Sequence, residues 1–411
     1  MFDHLHLPRG FSFAGISCGI KAQGRPDLAL IFSETPTTVG AVFTKNRYAA
    51  APVQYDRALL AAKPDGVHAV IINSGNANAV TGSVGLTNAR LMAEAVERML
   101  GLTPQSTLVM STGVIGVQLP IARIQEAMPT LVQALRADKD GFFAAAQAMM
   151  TTDTHPKWAT EQIRLQDATI HIAGMSKGAG MIHPNMATML SVIVTDAQLT
   201  PEAAQLAMQR AADASFNRIS VDGDTSTNDT AALLANGLAG GPLITSHTPE
   251  FGAFLAALTQ LSTKLAQAIV RDGEGATKFV TVQISGLADD QAAHQVANAI
   301  ATSPLVKTAI YGGDANWGRI LAAAGYSGAP FEPESAELWI TGGPNSASFL
   351  PRLHLVSQGM PLEYDEDQAA HRFAQPELLI ELQLGAGPGR ATMWTCDLSH
   401  EYVTINGEYR T

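Results

Sequence analysis

The sequence predicts a mixed α/β protein built in layers. Segments typical of strands alternate with segments typical of helices along most of the 411 residues. Hydrophobic residues make up 46% of the chain and charged residues 15%, a balance typical of a globular protein with a large core. The sequence contains neither an internal repeat nor a low-complexity tract, so its length corresponds to two or three domains.

The predicted strands are short apolar runs that end in Gly, Ser, Asn or Thr. They cover residues 27–33, 40–44, 68–75, 106–113 and 277–286. The predicted helices have apolar residues at helical spacing. They cover residues 87–100, 120–135, 200–215 and 250–273, with a further helix near 290–302. After residue 376 the sequence predicts strands joined by Gly-rich turns.

Charge and targeting signals narrow the class of protein. The net charge is −11 and no Lys/Arg-rich run occurs, so we expect neither nucleic acid nor an anionic membrane as a partner. No apolar run reaches the roughly 18 residues that span a bilayer, and the first residues do not fit a secretory signal. Cys18 and Cys396 are expected to be reduced thiols. These features together predict a cytoplasmic protein.

The sequence around three familiar motifs argues against the function that each motif usually indicates. Residues 15–19 match G-x-S-x-G, but a nucleophile elbow needs a preceding strand, a following helix and an earlier oxyanion loop. The Gly-rich residues 385–390 lack the G-K-[ST] ending of a phosphate loop, so a hairpin turn is favoured. None of the 11 His residues has a recognised ligand spacing, and we expect no metal site.

Thr188 is the most informative single residue. A threonine hydroxyl is a weak nucleophile unless a base lies nearby. Cutting the chain before Thr188 would create that base, an α-amine with an unperturbed pKa of about 7.7–8.0. Such a cut needs a small preceding residue and a constrained turn, which Ala187 and the bend at Pro184 and Asn185 offer. The alternative is an ordinary threonine at the start of a strand, and the residues alone leave both readings open.

A second candidate element is the segment STGVIG at residues 111–116. Thr112 and Gly113 end an apolar strand, where glycine lets a backbone N–H approach a substrate closely. The Thr112 hydroxyl can donate beside it, so the two residues together suit an oxyanion hole. An ordinary strand-to-helix turn explains the same residues equally well.

Residues 177–190, with the sequence KGAGMIHPNMATML, resemble the self-cleavage motif of the ornithine acetyltransferase family. Members of this family are also called arginine biosynthesis bifunctional proteins. Further segments resemble the family in the same order. They are NSGNANAVTG (73–82), STGVIG (111–116), MTTDTHPK (150–157), VDGDTSTNDT (221–230), RDGEGATK (271–278), YGGDANWGRI (311–320) and INGEYRT (405–411). The resemblance therefore covers nearly the whole chain.

The resemblance implies self-cleavage between Ala187 and Thr188, which divides the protein into an α chain (1–187) and a β chain (188–411). Thr188 is then the nucleophile, and Thr112 and Gly113 form the oxyanion hole. The implied substrate contacts are Thr151, Lys177, Thr188, Glu274, Asn406 and Thr411. Lys177 can pair with a substrate carboxylate. Glu274 can receive an ornithine ammonium or move a proton.

The implied fold is a layered α/β sandwich like that of the self-processing aminopeptidases. Residues 188–280 complete this sandwich, and a smaller α/β domain covers about 281–411. Two αβ units are expected to associate as a heterotetramer. The implied reaction moves acetyl from N2-acetyl-L-ornithine to L-glutamate by a ping-pong route through acetyl-threonine, with no bound metal or organic cofactor. Acetyl-CoA is a further acetyl donor in bifunctional members and remains open here.

Two rival functions deserve a test. A self-processed aminopeptidase or amidase would use the same nucleophile and hydrolyse its acyl-enzyme. The segments RDGEGATK and INGEYRT favour the transferase over this hydrolase. A non-catalytic binding protein on the same fold is the second rival, and an uncleaved mature chain would favour it.

Overall fold

The computed structural model describes residues 5–183, 189–344 and 349–408. Three residues with predicted roles lie outside this part of the chain, namely Ala187, Thr188 and Thr411. The described residues form fifteen strands and eleven helices, joined by loops and short 3-10 turns.

The strands are numbered in chain order. The first eight are β1 (Phe11–Ile16), β2 (Leu28–Phe43), β3 (Asp65–Asn76), β4 (Thr107–Val114), β5 (Lys157–Leu165), β6 (Ala168–Lys177), β7 (Leu190–Thr195) and β8 (Ile219–Ser220). The others are β9 (Thr230–Ala235), β10 (Phe279–Gly286), β11 (Ala336–Gly342), β12 (Leu350–Ser357), β13 (Met360–Pro361), β14 (Glu377–Leu384) and β15 (Gly387–Cys396).

The helices follow the same convention. The first six are α1 (Ala51–Ala62), α2 (Gly82–Leu100), α3 (Ile121–Gln133), α4 (Lys139–Ala148), α5 (Pro201–Ala214) and α6 (Pro249–Arg271). The other five are α7 (Asp290–Thr302), α8 (Pro304–Gly312), α9 (Trp317–Gly325), α10 (Glu366–Phe373) and α11 (His400–Gly407). Thr200 is the N-cap of α5, since its hydroxyl accepts from the backbone N–H of Ala203 at 3.2 Å.

The two predicted strands 27–33 and 40–44 are one long strand. β2 runs for 16 residues and continues through Pro36. Its register against β3 shifts between Phe32 and Thr37, and this irregularity accommodates a proline that cannot donate to the ladder. The polar segment around Pro36 therefore marks a break in pairing and not a loop.

The chain divides into two compact units. The first comprises Met1–Asn217 and Asp224–Ile269, and the second comprises Arg218–Gly223 and Val270–Thr411. Both are mixed α/β, each with its own sheet, which confirms the predicted fold class. The division into chains at residue 187 and the domain limits near residues 188, 280 and 281 remain predictions.

The first unit contains an eight-stranded sheet buried on both faces. Its order is β4-β3-β2-β9-β7-β6-β5, and β1 pairs with β2. Alternate residues of β3 enter two separate cores, because successive side chains of a strand point to opposite faces. Ala69 and Ile71 pack with helices α2 and α3, whereas Val70 and Ile72 pack with Phe142 of α4. This double burial fixes the strand ends that carry the predicted site residues.

Helix α6 packs its apolar residues against the sheet of the first unit. A Cβ atom at Gly174 of β6 would lie 2.8 Å from Leu261 Cδ2, so helix and strand approach closely. Within the described residues, α6 alone is long and apolar enough to cross a membrane by length and composition. Core helices meet the same criteria, and half of its most apolar window is buried.

The second unit contains a seven-stranded sheet with the order β13-β12-β11-β14-β10-β15-β8. β10 lies between β14, with which it is parallel, and β15, with which it is antiparallel. Residues 385 and 386, which connect β14 to β15, therefore cross the end of β10. A Cβ atom at Gly387 would lie 2.1 Å from the Leu287 carbonyl oxygen, so glycine is needed for this close approach. The predicted hairpin turn is wrong, because β14 and β15 are not paired with each other.

Candidate active site

The predicted oxyanion residues lie where two parallel strands meet. Thr112 and Gly113 are near the end of β4, and Gly113 is in register with Gly75 of β3. Gly113 has φ +133°, and a Cβ atom there would lie 2.2 Å from the carbonyl carbon of Gly75. No other residue fits this position, because both the backbone conformation and the space require glycine.

Buried amides hold this strand end in place. Asn228 donates through Nδ2 to the carbonyl oxygens of Ala77, at 2.6 Å, and Ser111, at 2.8 Å. The Ser111 hydroxyl donates to Asn73 Oδ1 at 2.6 Å. Ser111, Asn73 and Asn228 are all buried, so their hydrogen bonds are protected from water and strongly favour one geometry. The segment NSGNANAVTG thus builds the support of the predicted oxyanion hole.

Lys177 contacts the predicted oxyanion residues from another strand. It is the last residue of β6 and is buried apart from 8% of its surface. Its ammonium donates to the Thr112 hydroxyl oxygen over 3.3 Å. The structure therefore brings together three of the predicted site residues, Lys177, Thr112 and Gly113.

Asp153 is a site residue that the sequence-based prediction missed. Its Oδ2 accepts from the backbone N–H of Thr151 at 2.9 Å. Its Oδ1 accepts from Lys157 Nζ at 2.5 Å and from the backbone N–H of Gly178 at 2.7 Å. One carboxylate thus positions two predicted substrate contacts, Thr151 directly and Lys177 through the residue that follows it. The Asp–Lys spacing of four residues in DTHPK was the available signal.

The charges around Asp153 are balanced inside the protein. Burial alone would raise the pKa of this carboxyl, but the ammonium groups of Lys177 and Lys157 outweigh it. Together with the hydrogen bonds from Lys157 and Gly178 they hold the pKa well below its usual range. Both side chains of the Asp153–Lys157 pair are fully buried. Asp153 is therefore ionised at neutral pH.

Lys21 is a third lysine near this group, and its charge interacts with those of Asp153 and Lys177. Its Nζ donates to the carbonyl oxygens of Met150, at 2.6 Å, and Pro26, at 2.8 Å. Burial, reinforced by the charges of Arg25 and Lys177, lowers its pKa from 10.5 to about 8. Lys21 thus ties its loop to the residue that precedes Thr151.

Asp27 holds the loop of Lys21 and explains why the G-x-S-x-G match is not an elbow. Its carboxylate accepts from the backbone N–H groups of Cys18, Ile20 and Lys21 at 2.6–2.8 Å. β1 ends at Ile16, and no helix of more than one turn follows in this loop. Burial, followed by the charge of Asp27, raises the pKa of the Cys18 thiol to about 12, so this thiol stays protonated.

The second unit holds the other described pair of predicted residues. Glu274 is buried apart from 8% of its surface, and its Oε2 accepts from Asn406 Nδ2 at 2.8 Å. Asn406 lies on α11, is exposed, and also donates to the Tyr402 carbonyl oxygen at 3.0 Å. The C-terminal helix α11 thus contacts the glutamate of RDGEGATK.

The loop RDGEGATK is itself anchored. Asp397 Oδ1 accepts from the backbone N–H groups of Thr277, at 2.8 Å, and Lys278, at 2.9 Å. The hydroxyl of Ser399 donates to the Gly275 carbonyl oxygen at 2.6 Å. Gly275 has φ +67°, and a Cβ there would lie 2.6 Å from the Tyr402 nitrogen. The loop therefore needs glycine next to Glu274 to fit beneath α11.

The described residues contain no group of three or more His, Cys, Asp or Glu side chains able to hold a metal ion. Cys18 and Cys396 are both free thiols.

Comparison with known proteins identifies the family. The ArgJ family model matches residues 12–411. The mitochondrial arginine biosynthesis bifunctional protein ArgJ of Neurospora crassa is 49% identical over 98% of this chain and 89% of its own length. The crystal structure of the ArgJ protein of Bacillus halodurans is 41% identical over 52% of this chain and 95% of that chain, with a TM-score of 0.48. The ornithine acetyltransferase of Mycobacterium tuberculosis, solved with ornithine, is 38% identical over 44% of this chain and 94% of that chain, with a TM-score of 0.39.

The family match and the fungal relative define an acetyltransferase of arginine biosynthesis, which confirms the predicted enzyme class. The chain belongs to the ArgJ family.

The predicted cytoplasmic location is wrong. The fungal relatives to which this chain is similar, including those of Neurospora crassa and Chaetomium globosum, are mitochondrial proteins. The prediction rested partly on two reduced cysteines. Reduced thiols are kept in the mitochondrial matrix as well as in the cytoplasm, so this observation could not separate the two compartments.

Proposed function

We propose that this acetyltransferase moves acetyl from N2-acetyl-L-ornithine to L-glutamate through an acetyl ester on Thr188. Self-cleavage between Ala187 and Thr188 first frees the α-amine that serves as the base. The match to the family over residues 12–411 supports the reaction. The observation that carries the chemistry is the Lys177 ammonium donating to the Thr112 hydroxyl beside Gly113.

The first half of the reaction forms the acyl-enzyme. The Thr188 hydroxyl attacks the acetyl carbonyl, and its proton passes to the Thr188 α-amine. The C–N bond to ornithine then breaks, and the same proton is delivered to the departing nitrogen. In the second half the amine of glutamate attacks the ester carbonyl, and a new C–N bond forms. The ester C–O bond to Thr188 then breaks, and the proton lost by the glutamate amine passes through the Thr188 α-amine to the Thr188 oxygen. Each half passes through a tetrahedral oxyanion.

Thr112 and Gly113 are proposed to stabilise that oxyanion. Because the Thr112 oxygen accepts from Lys177, its own O–H is directed away from the lysine and can donate to the developing charge. Such chains of hydrogen bonds strengthen one another in a buried setting. The Gly113 backbone N–H is the second donor, and its glycine conformation lets the substrate approach.

The remaining predicted contacts are proposed to bind substrate. Lys177 and Thr151 suit the α-carboxylate that both amino acid substrates carry. Glu274 suits an ornithine ammonium, because its buried carboxylate is already oriented by Asn406. Thr411 is proposed as a further contact by resemblance alone. The ornithine acetyltransferase of Mycobacterium tuberculosis binds ornithine, which supports this class of ligand.

Acetyl-CoA is proposed as the second acetyl donor, because the relatives to which the chain is similar are bifunctional proteins. The Thr188 hydroxyl attacks the thioester carbonyl, the C–S bond breaks, and coenzyme A leaves as the thiol with the transferred proton. Glutamate then takes the acetyl group as before. We also propose that the α and β chains assemble as a heterotetramer with two copies of each.

Intact mass measured under denaturing conditions tests the nucleophile. The wild type is expected to give two fragments that meet at Ala187 and Thr188, and Thr188→Ala is expected to give one full-length, inactive chain. Ornithine release is then measured with and without glutamate. Release that continues unchanged without glutamate would replace the transferase by the hydrolase, and an uncleaved wild type would remove the α-amine from the mechanism.

A further inference from the structure

An open cavity of about 280 Å³ lies in the first unit beside the segment that follows Gly113. It is outside the groups already described. The residues that line it are Arg47, Tyr48, Ala49, Ala51, Gln54, Val80, Thr81, Gly82 and Leu86. This lining combines one cation, one exposed aromatic ring, an amide and several apolar groups, which is the composition of a site for a small molecule with a charged end.

The charge of the cavity is positive in a chain whose net charge is −11. Arg47 is the only charged residue among the described lining residues, and Lys45 lies two positions away in the same loop. Within the described part of the chain, the Arg47 guanidinium has no ion-pair partner. An unpaired guanidinium over a cavity favours a phosphate or a carboxylate, which it can bind through two parallel hydrogen bonds.

The loop that presents Arg47 and Tyr48 is rigid. Asn46 Oδ1 accepts from the backbone N–H of Tyr48 at 2.9 Å, and Asn46 Nδ2 donates to the Thr225 carbonyl oxygen at 3.1 Å. The Thr44 hydroxyl donates to the Ser226 carbonyl oxygen at 2.7 Å. Tyr48 nevertheless leaves 71% of its surface exposed. A fixed loop that keeps a tyrosine ring in water offers a stacking surface prepared for a planar ring.

The opposite wall is strained and apolar. Val80 has φ +57°, which is rare for a β-branched residue, and 61% of its surface is exposed. Strain of this kind persists where the surroundings impose it, and it is commonly found at ligand sites. The neighbouring Ala79 accepts from the backbone N–H of Gly116, and Ala77 donates to the Val114 carbonyl oxygen, both at 3.0 Å. The wall is therefore bonded directly to the residues that continue from Gly113.

We propose that this cavity binds the adenosine phosphate end of the acetyl-CoA donor. Tyr48 stacks on the adenine ring, Arg47 binds phosphate, and Val80 and Leu86 cover the gem-dimethyl group at the start of the pantetheine arm. The cavity holds only this end of the coenzyme, and the arm follows the segment 114–116 toward Gly113. This assignment rests on the proposed use of acetyl-CoA as a donor, and it adds a binding site for the coenzyme in the first unit.

The test compares two donors in the same enzyme. KM for acetyl-CoA and KM for N2-acetyl-L-ornithine are measured for the wild type, Arg47→Ala, Tyr48→Ala and the control Arg136→Ala. Arg136 is exposed and paired with Asp138, so its removal changes the net charge equally away from the cavity. Loss of a charge-assisted contact is expected to raise KM for acetyl-CoA about tenfold in Arg47→Ala. KM for N2-acetyl-L-ornithine should stay within about twofold.

S-acetylpantetheine, which lacks the adenine and every phosphate, separates a contact from a structural effect. The wild type and Arg47→Ala are expected to use this donor equally well. If Arg47→Ala impairs S-acetylpantetheine as much as acetyl-CoA, or if both variants keep the wild-type KM for acetyl-CoA, the cavity is not the coenzyme site. A wild type that uses no acetyl-CoA while N2-acetyl-L-ornithine remains a donor would instead overturn the proposed second activity itself.

Discussion

The two described groups of predicted site residues differ in how they are held. In the first unit, Lys177 and Thr112 lie at strand ends inside a sheet that is buried on both faces. In the second unit, Glu274 lies on a loop, and its partner Asn406 is exposed on an eight-residue helix. The first arrangement suits chemistry, which needs fixed dipoles. The second suits recognition, which tolerates adjustment of a side chain.

The electrostatic settings differ in the same way. Asp153 and Lys157 face each other with fully buried side chains, so removing one leaves the other charge without compensation. Asn406 is exposed, so water replaces its hydrogen bond when it is lost. Substitutions at Asp153 or Lys157 are therefore expected to lower activity and stability together. A substitution at Asn406 is expected to lower activity and leave stability unchanged.

The largest effect is expected from Asp153→Asn. The amide cannot balance Lys157 and Lys177, and breaking a buried pair costs about 3–5 kcal/mol. Denaturant unfolding measures this loss, and acetyl transfer should fall with it. Asp140→Asn, which changes an exposed carboxylate, is the control. If Asp153→Asn unfolds with the same free energy as the wild type, the first group does not contribute more to stability than the second.

Thr112→Val separates chemistry from stability within the first group. Removing one oxyanion donor typically lowers kcat about 10²–10³-fold. The unfolding free energy should change by less than about 1 kcal/mol, because the Thr112 side chain is only half-buried. The neighbouring Ser111→Ala is the matched control, since that hydroxyl bonds Asn73 and not Lys177. We expect Ser111→Ala to lower the unfolding free energy and to change kcat by no more than a fewfold. If Ser111→Ala lowers kcat more than Thr112→Val does, Ser111 is the oxyanion donor.

Asn406→Ala should act on substrate binding alone. Loss of its hydrogen bond leaves Glu274 less well oriented, and a contact of this kind corresponds to about a tenfold increase in KM for N2-acetyl-L-ornithine. The melting temperature should stay unchanged because Asn406 is exposed. Thr404→Ala on the same helix is the control. A matching loss in melting temperature would make Asn406 a structural residue.

The smallest effect is a pH dependence that arises from Lys21. Its pKa is about 8 in the folded protein and about 10.4 in an unfolded chain. Between these values the unfolded state binds more protons, so the Lys21 contribution makes stability rise with pH from about 8 to about 10.4. Below pH 8 the penalty of burying the charge is present in full.

Unfolding measured at about pH 7 and at about pH 9.5 checks this expectation. Lys21→Met should remove part of the rise in stability that the wild type shows, whereas the exposed Lys139→Met should keep it. Equal rises in the wild type and Lys21→Met would mean that the Lys21 ammonium is not desolvated.

Much of the fold was predictable, because apolar periodicity is local. The helices at 200–215, 250–273 and 290–302 and the strand at 277–286 correspond closely to elements of the structure. Pairing was not predictable, since it depends on partners far along the chain. Residues 27–33 and 40–44 were therefore predicted as two separate strands, although β2 runs through both.

The site shows the same limit. Lys177, Thr112 and Gly113 were predicted from a motif, and the structure brings them together. Asp153 was missed because a carboxylate in a Thr-rich turn has an ordinary local explanation. Its importance comes from Lys157 and Gly178, and only the folded chain brings that backbone N–H to the carboxylate. The roles of Thr188 and Thr411 stay predictions.

The crossing of residues 385 and 386 over the end of β10 has a consequence for the order of folding. β14 and β15 lie two strand spacings apart, about 9.5 Å, and the three chain steps from Leu384 to Gly387 reach at most about 10–11 Å. The connection is thus nearly taut in the folded chain, where β14 and β15 each pair with β10 and not with each other. In the folded sheet both strands pair with residues 279–286, which lie between them. During synthesis the central strand β10 is complete about a hundred residues before β15 begins.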